Sequence, residues 1–480
     1  MSDELAALDA TAQAALVRAG DVQPIELVDA AIARIERLNP QLNAVITTCF
    51  DKARAAARAR ELPAGPFRGV PTLLKDLGAH SAGDPFHAGM RLLRELRWTE
   101  PEDTYLVAKL RAAGFVFLGK TNTPELGLLP TTEPEVYGPT RNPWDTGHSS
   151  GGSSGGAAAA VAAALVPAAH ATDGGGSIRI PASHCGLVGL KTSRGRISLG
   201  PDVGERWGGF AVENSVTRSV RDTAAILDVL AGPMPGDPYT APPPTGPFLA
   251  EVGAPPGRLR IGVMTRAPSG VAVHRECVTA TERAGRLLES LGHRMEVSHP
   301  EALEDPQLSQ AIATVITCSA ARALTVWGNK TRRTIGPADV ERGTWALAEM
   351  GRNYAVGEYL AAIESAHTQT RRIAQWWAGG FDLLLTPTAA EPPPPLGSFA
   401  ATADNPFAGF MRAGAFSTFT APFNVTGQPA ISLPLHWSVL GLPVGTQLVA
   451  AYGREDLLIR VAAQLEAAQP WADRRPGVHA

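Results

Sequence analysis

Hydrophobic positions recur along this chain in two alternating rhythms. Leu27, Val28, Ala31, Ile32, Ile35 and Leu38 fall at three- and four-residue steps, the spacing of one helical face, and Pro24 sits where a first helical turn tolerates it. Residues 4 to 40 therefore read as helical, Asn43 to Thr47 as a short strand, and Asp51 to Arg60 as helix again. Val70 to Leu74 is an apolar run, a buried strand that delivers Lys75 at its end. Asp103 to Ala113 predicts an amphipathic helix and Phe115 to Leu118 a strand, and the alternation continues through Ile178 to Ser198 and a helix over Ser219 to Leu230. Strands are predicted at Leu259 to Met264, Phe381 to Thr386, Ile431 to Leu435 and Thr446 to Ala450. Helices are predicted at Glu276 to Leu291, over most of 301 to 380, and at Asp456 to Ala468. This rhythm predicts an α/β fold, a central sheet with helices on both faces.

Composition narrows the class. The 480 residues are 44% hydrophobic and 19% charged, the proportions of an ordinary globular protein, and the net charge is −3. No lysine-rich run stands out, so neither nucleic acid nor an anionic membrane is expected as a partner. Cys49, Cys185, Cys277 and Cys318 are too scattered for a disulfide framework or a zinc site. The N-terminus MSDELAALDATAQ lacks the regions of a signal peptide. The most apolar run, Ala157 to Ala171, is interrupted by Pro167 and His170 and falls short of the ~20 residues of a spanning helix. A soluble, cytoplasmic protein is expected. Pro233 to Pro256 reads as a long surface excursion, and Glu391 to Pro395 as a stiff extended connector.

The chemistry concentrates between Gly151 and Lys191. Two glycine-rich loops, Gly151 to Gly156 and Gly174 to Gly176, each present serines and flank a run of small apolar residues. A helix after the first loop is expected to turn its free N–H groups back towards the serines. Ser177 follows three glycines, whose successive N–H groups can converge on one anion. Gly151 to Gly155 also matches the G-x-S-x-G nucleophile elbow, with His148, His170 and His184 as conceivable bases. That motif demands a strand directly before the serine, and RNPWDTGHSS is polar and turn-like. GGSSGG lacks the lysine of a phosphate-binding loop.

GGSSGG followed by TDGGGSIRIPASHCGLVGLK, with GVPTLLKDL upstream and FNVTGQPAISLP downstream, resembles the amidase signature family over nearly the whole chain. The resemblance implies a single domain over 1–480 with a mixed central sheet, residues 69–200 carrying the catalytic core and about 300–415 a largely helical substrate-covering region. It implies hydrolysis of a non-peptide amide bond, with Ser177 as nucleophile, Ser153 as the bridging serine after a cis Gly152–Ser153 peptide, and Lys75 as general base. Gly174, Gly175 and Gly176 would form the oxyanion hole. Ser154, Asp173 and Arg179 would support it, Asp173 and Arg179 as a structural pair. Lys75 must be neutral to accept a proton, so burial is expected to lower its pKa and Asp76 to point away. No metal or organic cofactor is implied.

The implied partner is a small-molecule amide, and the implied assembly a monomer or homodimer. RNPW, VAAYGREDLL and TTEPE resemble one branch of that family more narrowly, and this resemblance implies a medium-chain linear or cyclic amide such as an aminohexanoate oligomer. Carbamates, aryl amides and the glutaminase role of a tRNA-dependent amidotransferase subunit stand as alternatives on the same triad. Cys318 and Trp327 are expected to line the pocket. Two residues depart from the usual family pattern, Thr192 where proline is usual and Gly174 where a larger residue is frequent. The latter is expected to alter the oxyanion loop or to widen the acyl pocket.

Overall fold

The computed structural model describes residues 2–402 and 404–480. Among the described residues, eleven strands build one sheet: β1 (Val45–Thr48), β2 (Pro71–Lys75), β3 (Val116–Thr121), β4 (Ala168–Asp173), β5 (Val188–Lys191), β6 (Val212–Thr217), β7 (Arg260–Val263), β8 (Arg294–Val297), β9 (Leu383–Pro387), β10 (Ala430–Trp437) and β11 (Pro443–Ala450). Their order across the sheet is β1-β3-β2-β4-β6-β5-β10-β11-β9-β7-β8. β2 runs parallel to β3 and β4, and β7 parallel to β8 and β9; the remaining pairs are antiparallel, so the sheet is mixed. Every residue of β2 and β3 is buried, as expected of strands covered on both faces.

Two strands carry little apolar signal. β6 reads VENSVT, yet all six residues are buried, because its polar side chains serve the interior. β8 is a half-exposed edge strand with charged side chains. The excursion over 233–256 is not wholly at the surface either: Phe248 is buried in the main core beside Leu227 and Leu230.

The helix Gly155–Ala162 is buried along its whole length. Its small side chains let the backbone lie close to the sheet, and a carbon added at Gly156 would fall 2.4 Å from the Asn122 backbone nitrogen. The helical region after residue 300 comprises Pro306–Thr331, Arg342–Arg352 and Val356–Ala378. Pro306–Thr331, with 26 residues, is long and apolar enough by length and composition to cross a membrane, a possibility not visible from the Ala157 to Ala171 run. It packs against the other two helices of this region.

Candidate active site

Parallel strands bring their carboxyl ends to one edge of a sheet, where α/β proteins place their ligands. Here β2 ends on Lys75 and its parallel neighbour β4 on Thr172 and Asp173. The Lys75 side chain is fully buried, and its Nζ donates to Ser153 Oγ at 2.7 Å, Thr172 Oγ1 at 2.8 Å and Ser154 Oγ at 3.0 Å. Burial lowers the Lys75 pKa to about 7, against the opposing pull of Asp173 and Glu213. Asp76 points away as expected: its carboxylate accepts the backbone N–H groups of His87 at 2.8 Å and Gly89 at 3.5 Å.

The first glycine loop presents Ser153 through a cis Gly152–Ser153 peptide. Gly152 is pressed onto the backbone of Thr131, where an added carbon would lie 2.3 Å from the Thr131 nitrogen. Ser154 precedes the buried helix, but the first helical N–H, that of Gly155, donates to Thr132 Oγ1 at 3.0 Å. That helix end is thus closed at Gly155 by a threonine and does not offer this donor to the serines.

The second loop is held from behind by Asp173. Its carboxylate accepts the backbone N–H groups of Gly176 (2.8 Å), Ile178 (3.1 Å) and Arg179 (3.4 Å), and two bonds of 2.9 Å from the Arg179 guanidinium. Burial pushes the Asp173 pKa up, yet Arg179, Lys191 and Asn424 hold it down to about 2. Arg179 is also buried and reaches Thr420 O, Gln447 Oε1 and Asn424 Oδ1. The pair therefore ties the loop to the segment 420–424 and to β11. Gly176 departs from the expectation for the three glycines, because its N–H is already committed to Asp173. Ser177, at the head of the short helix Arg179–Cys185, is partly exposed, as are Gly174 and Gly175.

Gly174 does not widen a pocket. A carbon added there would meet the Trp207 ring at 2.7 Å, so the room that a larger residue would fill belongs to that ring. Thr172 and Trp207 are among the residues that sequence reasoning missed. The TDGGGS motif marks Thr172 as the end of a strand, but only the parallel pairing of β2 with β4 brings it beside Lys75; Trp207 left no local signal.

The three histidines are otherwise engaged. His170 Nδ1 lies 3.3 Å from the Lys75 backbone nitrogen and its Nε2 3.3 Å from Glu213, while His148 pairs with Asp145 at 3.0 Å. His184 is buried with its ring against Phe416, and burial lowers its pKa to about 3. No strand precedes Ser153 directly, so the elbow reading fails.

Cys318 is half-buried on Pro306–Thr331, one turn beyond Val315, which approaches Gly208. Trp327, at the other end of that helix, packs between Phe86 (6.1 Å) and Trp98 (6.0 Å) in an apolar cluster. A cavity of about 490 Å³ opens beside the segment 124–135, lined among others by Glu125, Leu128, Glu133, Glu341, Phe399 and Phe410; Lys75, Ser153 and Ser177 are not in its lining. Among the described residues no group of three or more His, Cys, Asp or Glu could hold a metal ion.

A family model described as Amidase matches residues 26–459. The chain is 46% identical over 478 residues to 6-aminohexanoate-cyclic-dimer hydrolase of Paenarthrobacter ureafaciens, covering 98% of this chain and 96% of that protein. The solved structure of 6-aminohexanoate cyclic dimer hydrolase complexed with substrate superposes with a TM-score of 0.95 at 44% identity, over 98% of this chain and 99% of that one. A bacterial aryl acylamidase of the amidase signature family superposes with a TM-score of 0.87 at 29% identity, over 97% of each chain. With Ser153 and Ser154 gathered on the buried Lys75 at the carboxyl edge of one mixed sheet, and with this agreement from end to end, the chain belongs to the amidase signature family, hydrolases of amide C–N bonds.

Proposed function

We propose that the enzyme hydrolyses a medium-chain linear or cyclic amide, such as an aminohexanoate oligomer, through an acyl-enzyme on Ser177. The observation that carries this reading is the 2.7 Å contact from a fully buried Lys75 Nζ to Ser153 Oγ, with the lysine pKa lowered to about 7. A neutral amine beside a hydroxyl is a general base poised near working pH. Ser177 Oγ attacks the amide carbonyl carbon, its proton passes to Ser153, and the Ser153 proton passes to Lys75. The carbonyl electron pair moves onto oxygen, where the N–H groups of Gly174, Gly175 and Ser177 stabilise it. Collapse breaks the C–N bond, and Lys75 returns its proton through Ser153 to the departing amine. Water then adds by the reverse relay and releases the carboxylic acid.

The substrate class rests on the 46% identity to the cyclic-dimer hydrolase. Aryl amides are a second reading, supported by the aryl acylamidase superposition. The enzyme works without cofactor, as a monomer or homodimer in the cytoplasm, with the largely helical region of about 300–415 covering the substrate. A screen of linear amides, lactam dimers, aryl amides and carbamates by product mass, run beside Ser177→Ala, separates these readings. Turnover of the lactam dimer that disappears in Ser177→Ala is expected; turnover that persists in the variant ends the assignment of Ser177.

A further inference from the structure

The space in front of the second glycine loop has defined walls. A side-chain carbon built on Gly175 would meet nothing within 4 Å among the described residues, so open space lies over this glycine. A carbon built on Gly176 would meet Thr420 Oγ1 at 2.5 Å, and one built on Gly174 would meet Trp207 Cε3 and Cζ3 at 2.7 Å. No left-handed backbone angle explains the glycine at 174; the indole does.

Trp207 is held there by a costly conformation. Its φ is +56°, in the left-handed region that disfavours a bulky side chain, and Gly208 and Gly209 follow at +62° and +82°. Such a backbone persists where its surroundings fix it, and it concentrates at functional sites. The surroundings are specific. The Glu205 carboxylate accepts the Gly209 N–H, and Arg194 Nε donates to Gly209 O at 2.5 Å. Gly208 lies against Ile363, Val315 and Tyr359 of the two long helices Pro306–Thr331 and Val356–Ala378. Trp207 itself is only partly buried, as are Gly174, Gly175 and Ser177.

We infer that Trp207 is a specificity-determining residue, a wall that limits the width of the substrate group lying over the oxyanion loop and links that loop to the helical region. This rests on the reading of Ser177 as nucleophile. The side chain neither accepts nor supplies a proton in the reaction; it excludes.

The test compares kcat/KM of the wild type, Trp207→Phe and Trp207→Ala on two series of amides. One varies the acyl group at constant amine (hexanoyl against cyclohexanecarbonyl anilide). The other varies the amine at constant acyl group (N-methyl against N-cyclohexyl hexanamide). The ratio of wide to slim substrate is expected to rise at least about tenfold in Trp207→Ala in one series or both, with Trp207→Phe between, since pocket contacts of a methylene or more discriminate about 10–200-fold. A ratio unmoved in both series, with the slim substrates merely turned over more slowly, overturns the inference. A second measurement guards against misfolding: Gly174→Ala is expected to lower kcat/KM in the wild type and far less in Trp207→Ala. An equal loss in both backgrounds also overturns it. Persisting turnover in Ser177→Ala would instead sink the nucleophile reading, whatever the ratios.

Discussion

Lys75 Nζ lies 2.7 Å from Ser153 Oγ, and neither side chain has more than a trace of exposed surface. An ammonium in that position has lost its water and received three hydroxyl oxygens in exchange, one each from Ser153, Ser154 and Thr172. Hydroxyls solvate a cation less well than bulk water does, so the neutral amine gains relative to the charged form.

Activity should require deprotonated Lys75. Its pKa is lowered to about 7 by burial, so kcat/KM should climb with pH through an acid limb near 7 and level off above it. Lys75→Ala should lose roughly 10²–10⁴ in kcat/KM, the usual weight of a general base, with its circular dichroism unchanged. Wild-type activity flat from pH 5 to 9 would contradict this.

Glu213 should set where that limb falls. It sits behind β2, 3.3 Å from His170 Nε2, whose other ring nitrogen meets the Lys75 backbone, and together with Asp173 it raises the lysine pKa against the effect of burial. Glu213→Gln removes one of these two charges, so the acid limb should move to lower pH. The apparent pKa from a kcat/KM profile measures it, and a shift to higher pH would refute the electrostatic role.

Lys75 should also cost stability in a pH-dependent way. Its folded pKa lies below the ordinary lysine value of 10.5, so between about 7 and 10.5 the unfolded chain binds the proton that the folded one lacks, and stability rises with pH across that window. Lys75→Met should therefore stabilise most below pH 7, on the order of a few kcal/mol, with the gain shrinking towards pH 10. Denaturant melts at pH 6.5 and 9.5 give the comparison; a gain that grows with pH would reverse the sign and reject the argument.

Arg179→Met should destabilise strongly. It leaves the Asp173 carboxylate buried without its cation, a loss of about 3–5 kcal/mol for a broken buried pair. Because Asp173 also holds the Gly176 and Ile178 N–H groups, activity should fall with stability. Asp173→Asn added to Arg179→Met should recover part of the melting temperature. If the double variant melts lower than the single by the full Asp173→Asn increment, the two residues do not act as a pair.

Much of this protein was legible in the order of its residues. Val70 to Leu74 is an apolar run bounded by turn residues, so a buried strand ending on a lysine follows from hydrophobic pattern alone. Ser153 and Ser177 stand in glycine-rich motifs whose spacing and context pointed to the family before any coordinate. Local signals of this kind survive because each depends on a few neighbouring residues.

Other features were decided only when distant segments met. β6 has no apolar pattern, since Glu213 and Asn214 are buried to satisfy His170 and the Leu190 carbonyl. Gly176 gave its N–H to Asp173, and Gly155 gave its own to Thr132; both choices depend on where a side chain elsewhere comes to rest. Trp327 packed against Phe86 and Trp98, residues more than two hundred positions away, while Trp207 took the place beside Gly174. Hydrophobic burial is non-directional, so a sequence tells that an indole will be covered but not by what. The partner is chosen by the packing of the whole sheet and its helices. The chain itself therefore determined the strand that carries the base, the loops that carry the serines and the family, whereas tertiary packing decided which N–H groups stay available and which ring borders the loop.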